Sequence, residues 1–228
     1  MRAKEQGLEK YLTYDPYRRV SLRDHFFSPS VTADALKAVR HDELGDFHNA
    51  RYEFTAEDGG ATLQRDGLVV DAAGREHPIR IVKRIALAPD SGAFTIHYEV
   101  DNIGDGACET LFGVEFAVNL LSGATFDRYY RSDERDLAYA KLATTGWEEG
   151  LSHIALRDDW QQLEMGLRLD LPARIFRFPL ETVSQSEGGQ ERIYQGSVVI
   201  PCWPVTLEAG GRARFEIVLE ALDTGHQD

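Results

Sequence analysis

The feature that most constrains this chain is a two-residue alternation of apolar and polar positions, repeated in segment after segment. In GAFTIHYEVDN, Phe94, Ile96, Tyr98 and Val100 fall on one face, while Thr95, His97 and Glu99 fall on the other. In TLFGVEFAVNLL, Phe112, Val114, Phe116, Val118 and Leu120 share a face opposite Gly113, Glu115, Ala117 and Asn119. LEMGLRLDL puts Leu163, Met165, Leu167, Leu169 and Leu171 inward, and RARFEIVLEAL does the same with Phe215, Ile217 and Leu219. Successive side chains of a strand point to opposite sides, so this period describes strands with one face in a core. IRIVKRIALA and RYEFTAE are weaker segments of the same kind.

Turn chemistry separates these segments: EDGGAT, DAAGREHP, APDSGA, DNIGDGA and LEAGGRA are rich in Gly, Asp and Pro. Strands at this spacing predict an all-β chain of antiparallel sheets stacked face to face. Helical signal is thin. VTADALKAVR predicts a short helix with Thr32 as N-cap and Leu36 and Val39 on one side, and DERDLAYAKLA is a second candidate. Neither can carry a βαβ crossover, which excludes doubly wound and α/β-barrel folds. Residues 1–27 stand apart: they are charged and aromatic, with Tyr11, Tyr14, Tyr17, Phe26 and Phe27 and little alternation. They read either as a connecting or docking segment ahead of a β-sandwich over residues 28–228, or as a strand-and-loop entry into it.

A chain of 228 residues can bury a substantial core as one large domain. Its formal charge of −13 argues against nucleic acid, whose binders concentrate Lys and Arg. Cys108 and Cys202 are too few for a disulfide framework and leave one bridge open. The N-terminal MRAKEQGLEKYLTYDPYRR has no apolar signal core, and no apolar run approaches the ~20 residues of a membrane span. The expected location is cytoplasmic, with no membrane partner.

Motif spacing removes several chemistries. His25, His41, His48, His77, His97, His153 and His226 form no H-E-x-x-H or H-x-H pair, so no metal or other cofactor is expected. No G-x-S-x-G elbow exists, and Gly188-Gly189 lacks the lysine and spacing of a phosphate loop. Glu115 sits among small residues on a strand whose other face is apolar, so it is either a solvated outer-face residue or part of a cleft. If its strand pairs with the preceding one, His97, Glu99 and Glu115 approach one another and could do acid–base chemistry on a sugar. Trp203, in VVIPCWPVTL, is either a core ring or an exposed platform for a sugar face. Pro201 and Pro204 beside it favour a sheet edge or a strand break. ETVSQSEGGQERIYQG, residues 181–196, is dense in polar groups and reads as an active-site loop, a sugar-binding loop or a long solvated hairpin connection.

Four blocks carry a family resemblance: YDPYRRVSLRDHFF (14–27), ELGDF (43–47), LFGVEFAVNLL (111–121) and FPLETVSQSEGGQERIYQGSVVIPCWPVTL (178–207). Together they resemble the C-terminal region of glycoside hydrolase family 57 enzymes of the α-amylase/4-α-glucanotransferase type. The blocks keep the family's order and span nearly the whole chain. The resemblance implies a large galactose mutarotase-like β-sandwich that follows a catalytic barrel and a helical segment. It implies a retaining reaction on α-glucan, with its nucleophile and acid/base carboxylates both in the barrel. No residue here matches those catalytic motifs. The expectation is therefore a non-catalytic module that supports a family 57 catalytic domain, with a part in holding α-glucan or maltooligosaccharide. Its sugar contacts would be drawn from His97, Glu99, Glu115 and Trp203.

The resemblance also makes Tyr14, Asp15, Tyr17, Arg18, Arg19, Asp24 and His25 candidates for the domain junction, with a local sandwich-edge network as the other reading. A junction surface left bare implies dimerisation or low solubility. For residues 181–196 it implies a structural polar network of Glu181, Glu187, Glu191, Arg192 and Tyr194. There Gly188-Gly189 would make a tight turn, Arg192 would pair with a glutamate, and Tyr194 and Gln195 would start the next strand. On that reading Arg192→Ala destabilises the fold. Two rival readings remain: an aldose 1-epimerase using His97 or His48 with Glu115, resting on fold analogy alone, and a stand-alone carbohydrate-binding module.

Overall fold

The computed structural model describes Leu8 and residues 15–138, 140–186 and 189–225. Eleven strands and one short helix follow in the order β1 (Arg23–Phe27), α1 (Ala33–Lys37), β2 (Glu53–Glu57), β3 (Gly60–Val70), β4 (Glu76–Leu87), β5 (Phe94–Asn102), β6 (Cys108–Val118), β7 (Arg128–Arg131), β8 (Gly146–Asp158), β9 (Leu163–Ser186), β10 (Gly189–Leu207) and β11 (Arg212–Asp223). All pair antiparallel in one sheet of order β1-β6-β10-β9-β11-β5-β4-β3-β2, with β7 and β8 branching from β9. The sheet closes over itself at β9. The first part of β9 pairs with β11 (Leu169 opposite Ile217) and its last part with β10 (Phe176 opposite Ile200). Two register shifts in β8, on either side of Leu151, accompany the bend. The result is a β-sandwich, as the alternation requires.

Side chains from both layers fill the space between them. Phe112 of β6 and Trp203 of β10 meet Tyr98 of β5 and Phe215 of β11, with ring centroids 4.6–6.4 Å apart. The predicted inward residues Ile96, Tyr98, Val100, Phe112, Val114, Phe116, Leu167, Leu169, Phe215 and Ile217 are all buried, whereas Leu171 and Phe94 are exposed. A second, smaller cluster covers the far side of β6, β9 and β10. It joins Phe27, Ala33, Leu36, Leu111, Phe176, Phe178, Val198, Ile200 and Cys202. The stretches 175–178 of β9 and 197–203 of β10 are thus buried on both faces, and alternation fades there for that reason. Gly113 shows how close the cover comes: a Cβ there would lie 3.0 Å from the Phe27 ring and 2.9 Å from Cys202 Sγ.

Several expectations change. Residues 23–27 form β1, hydrogen-bonded along β6, so within the described residues no boundary at 27/28 separates the entry segment from the sandwich. Thr32 caps α1, accepting from Ala35 N at 3.2 Å. The second predicted helix is absent from the described part of 133–143. Its Ala138 and Ala140 carbonyls accept instead from Arg177 and from Tyr130 N. Pro201 marks no break, because β10 runs on through it, paired with β9, while the pairing with β6 lapses at Ile200 and Pro201 and then resumes. Beyond Cys202 β10 pairs with β6 alone, so Pro204 stands where one side of the strand has no strand partner among the described residues. Cys108 and Cys202 are free and buried. Among the described residues no helix is long and apolar enough to cross a membrane, and no cluster of His, Cys, Asp and Glu is placed to hold a metal ion.

Candidate functional site

The strongest concentration of polar chemistry lies where the entry segment crosses β6. Arg23, His25 and Phe27 of β1 stand opposite Glu115, Gly113 and Leu111, on the face away from the central core. Glu115 has no solvent exposure. Its Oε2 accepts from Arg19 Nη1 at 2.6 Å and Tyr17 Oη at 2.9 Å, with His25 Nε2 at 3.6 Å. Arg19 also donates to Tyr17 Oη, to Asp15 and to the Leu36 carbonyl, and its guanidinium lies over the Tyr17 and Phe178 rings. His25 Nδ1 lies 2.7 Å from Glu43 Oε2, while Glu43 Oε1 accepts from Phe26 N. The His25 ring stacks between Phe27 and His48.

Two cations therefore face two carboxylates in a buried setting. Burial opposes the charge on His25, but the Glu115 and Glu43 carboxylates outweigh it and raise its pKa to about 9. Burial likewise opposes the Glu115 charge, and His25 and Arg19 hold its pKa below the usual value. Burial, then the Glu115 charge, keeps Tyr17 protonated far above its ordinary range. A raised histidine pKa stabilises the fold fully below the unfolded value of 6.5 and ceases to do so as pH passes about 9. Between pH 7.5 and 10 this amounts to about 2 kcal/mol, or a melting temperature lower by about 4–8 °C. Thermal unfolding across that range checks it: the parent should show the fall, and His25→Gln should lack that component.

Asp24, on the opposite face of β1, makes a second buried cluster. Its carboxylate accepts from Lys83 Nζ at 2.7 Å, Tyr98 Oη at 2.9 Å and the Tyr52 hydroxyl. Lys83 also donates to the Leu22 carbonyl at 2.8 Å. This cluster joins β1 to β4 and β5 across the sandwich.

The candidates set out from the sequence do not form one site. β5 pairs with β4 and β11, and β6 with β1 and β10, so His97 and Glu99 never meet Glu115. His97 lies on the outer face beside Glu216, and Glu99 beside Arg84 and Arg212. The outer-face reading of Glu115 fails because the entry segment buries it. The pairing of a histidine with Glu115 in the epimerase reading loses its carboxylate with it: His48 does lie near, against Tyr17 and His25, but Glu115 has no exposed oxygen to offer a sugar. Trp203 is 3% exposed and its indole donates to the Leu171 carbonyl at 3.1 Å, so it is a core ring and no platform.

Of the junction candidates, Tyr17, Arg19, Asp24 and His25 are turned into this chain's own networks, Asp15 and Arg18 face solvent, and Tyr14 lies outside the described residues. Residues 181–186 and 189–196 are strand, not loop: β9 and β10 extend as a ribbon in which Ser186 pairs with Gly189 and Glu181 with Tyr194. Gly188 and Glu187 lie outside the described residues, and β10 starts at Gly189, earlier than Tyr194. Glu181 takes Lys37 Nζ at 2.7 Å and Arg192 Nη1 at 3.3 Å; Glu191 has interactions of its own. Arg192 is 36% exposed while Glu181 is 5% exposed, so the pair lies at the edge of the packed region and joins Arg192 and Lys37 on one carboxylate.

Sequence reading missed Lys83, Glu43 and Arg177. Lys83 continues the inward row of Ile79 and Ile81, and a lysine in such a row announces a buried carboxylate.

The comparisons with known proteins bear on what such a domain belongs to. The family model described as alpha-amylase/4-alpha-glucanotransferase, C-terminal, matches residues 1–217. The chain belongs to this family. A 4-alpha-glucanotransferase of Thermococcus kodakarensis is 30% identical over 208 residues, 91% of this chain and 27% of the relative. The crystal structure of 4-alpha-glucanotransferase from Thermococcus litoralis superposes with a TM-score of 0.75 at 26% identity, covering 96% of this chain and 30% of that one. An aldose 1-epimerase candidate from Escherichia coli K12 shares the fold, with a TM-score of 0.61 at 14% identity over 90% of this chain and 81% of its own. The family domain thus corresponds to under a third of the length of the glucanotransferases it matches, at their C-terminal end.

Proposed function

We propose that the chain acts as the non-catalytic C-terminal module of an enzyme that works on α-1,4-glucans by a retaining route, and that it supports the catalytic portion carried by the rest of such enzymes. The observation that carries this reading is that the most buried carboxylates are spent on structure. Glu115, Asp24 and Asp158 are each closed off by a cation of the same chain. A glycosidase needs two open carboxyl groups about 5–10 Å apart across the bond. Of the junction candidates described, Asp15 and Arg18 face solvent, where a preceding domain can meet them. The purified chain incubated with maltooligosaccharides is expected to give neither disproportionation nor hydrolysis. Robust turnover by the purified chain, lost on replacing one of its own carboxylates, would sink the proposal.

A further inference from the structure

Phe126 and Trp160 are the most exposed Phe and Trp among the described residues, at 91% and 75%. Phe126 is carried by the loop between β6 and β7, Trp160 by the turn between β8 and β9. The two loops are tied together, since Asp159 N donates to the Asp127 carbonyl at 2.9 Å. Beneath them lies an ion pair that packing has taken from water: Asp158 is fully buried and Arg128 is 7% exposed, with Arg128 Nε 2.7 Å from Asp158 Oδ2. Its remaining bonds reach both loops. Arg128 Nη1 donates to Thr125 Oγ1 at 3.2 Å and Asp127 Oδ1 at 3.3 Å, on either side of Phe126. Asp158 Oδ1 accepts from Gln161 N at 2.9 Å, closing the turn around Trp160. Gln162 ends that turn at φ 54, a left-handed conformation that disfavours glutamine, and Thr224 N donates to its carbonyl at 2.8 Å.

The loops that carry these two exposed rings are thus tied together by a buried pair that serves both. Preorganisation of this kind suits a binding surface, because the cost of ordering the loops is met before the ligand arrives. The chemistry around the rings selects the ligand. Tyr129 Oη lies 3.4 Å from Asp159 Oδ1, and Arg157 Nε is 2.9 Å from the same oxygen, so phenol, guanidinium and carboxylate groups border Trp160. Asp127, Asp158 and Asp159 outnumber Arg128 and Arg157, with which they pair, so the spot does not favour an anion. Aromatic faces for C–H surfaces, bordered by groups that donate and accept hydrogen bonds to hydroxyls, fit a neutral oligosaccharide.

We infer that Phe126 and Trp160 form a glucan-binding platform at this end of the sandwich; the choice of α-1,4-linked glucose rests on the function proposed above. Titration calorimetry of the whole chain with maltoheptaose should show saturable binding. Trp160→Ala should weaken it about tenfold or more, a loss of about 1.4 kcal/mol, and Phe126→Ala should weaken it as well. Trp147→Ala, which removes an exposed ring set against Arg174, should leave it unchanged. Absence of binding by the parent, or full affinity in folded Trp160→Ala, overturns the platform. Binding of cellohexaose in place of maltoheptaose, still lost with Trp160, keeps the platform and overturns the α-glucan reading. Self-association abolished by Trp160→Ala without sugar binding assigns the rings to a second copy of the chain and also overturns the inference.

Discussion

Asp24→Ala is expected to destabilise the domain by about 3–5 kcal/mol, because it strands a lysine in the core. Asp24 is 1% exposed, Lys83 3% and Tyr98 1%. The substitution deletes the anion that Lys83 Nζ touches at 2.7 Å and leaves the Tyr98 and Tyr52 hydroxyls without their acceptor. Burial, and then the Asp24 charge, holds both phenols protonated well above their ordinary range, so they act as donors throughout. The Leu22 carbonyl and the Tyr52 ring, 4.3 Å from the ammonium, remain beside Lys83 but carry no full charge. The partner test separates a stranded charge from a lost contact. Asp24→Leu with Lys83→Met removes both ions and should recover most of the loss, since well-packed apolar replacements of buried pairs are often neutral or better. Urea unfolding at constant slope measures both variants. An Asp24→Ala midpoint within about 1 kcal/mol of the parent would mean that water reaches Lys83.

The contrast between the two faces of β6 shows what the sequence could carry. Phe112, Val114 and Phe116 announce a core face by period alone, and they are buried as that period demands. Glu115 and Gly113, between them, look like a solvated face because alternation reports only that two sides differ. What covers the second side comes from Tyr17, Arg19 and His25, which meet Glu115 across separations of 98, 96 and 90 residues. No local pattern encodes such a contact. The same limit hid the ribbon at 181–196. Its described strands hold only Val183, Ile193 and Tyr194 among polar residues, with Tyr194 against the core, and so sparse an apolar set gives no period to read. For β1 the sequence left a docking segment and a strand entry open, because DHFF is buried on both sides and only five residues long with Arg23; the strand entry is the one that forms. Pairing partners were the other blind spot. His97 and Glu115 lie on successive strands, and the expectation that these pair fails because the connection at 103–107 crosses from one layer to the other.

Glu115→Ala should cost a similar 3–5 kcal/mol, but its damage should begin in the entry segment and not in the central core. Arg19 and Tyr17 are held against β6 chiefly through Glu115 Oε2, at 2.6 and 2.9 Å. Without it, a guanidinium whose side chain is 4% exposed and a charged His25 share the space with Glu43 and, at its exposed rim, Asp15 as the remaining anions. Residues 15–22 should then open ahead of global unfolding, and trypsin should cut at Arg18, Arg19 or Arg23 in the variant under conditions where the parent resists. Glu115→Gln keeps the shape and removes only the charge, so it isolates the electrostatic part. Because the Glu115 pKa is depressed in the fold, its stabilisation is present above the ordinary carboxylate value of 4.5 and is lost as pH falls below it. Glu115→Gln should therefore flatten the acid side of the stability profile. It should also draw the His25 pKa down from about 9 toward 6.5, since one of the two carboxylates that raise it is gone. Imidazole titration by NMR reads that shift directly. A His25 that titrates near 9 in both proteins would place the burden on Glu43 alone, and the entry segment would then be locked by the β1–Glu43 contact and not by β6.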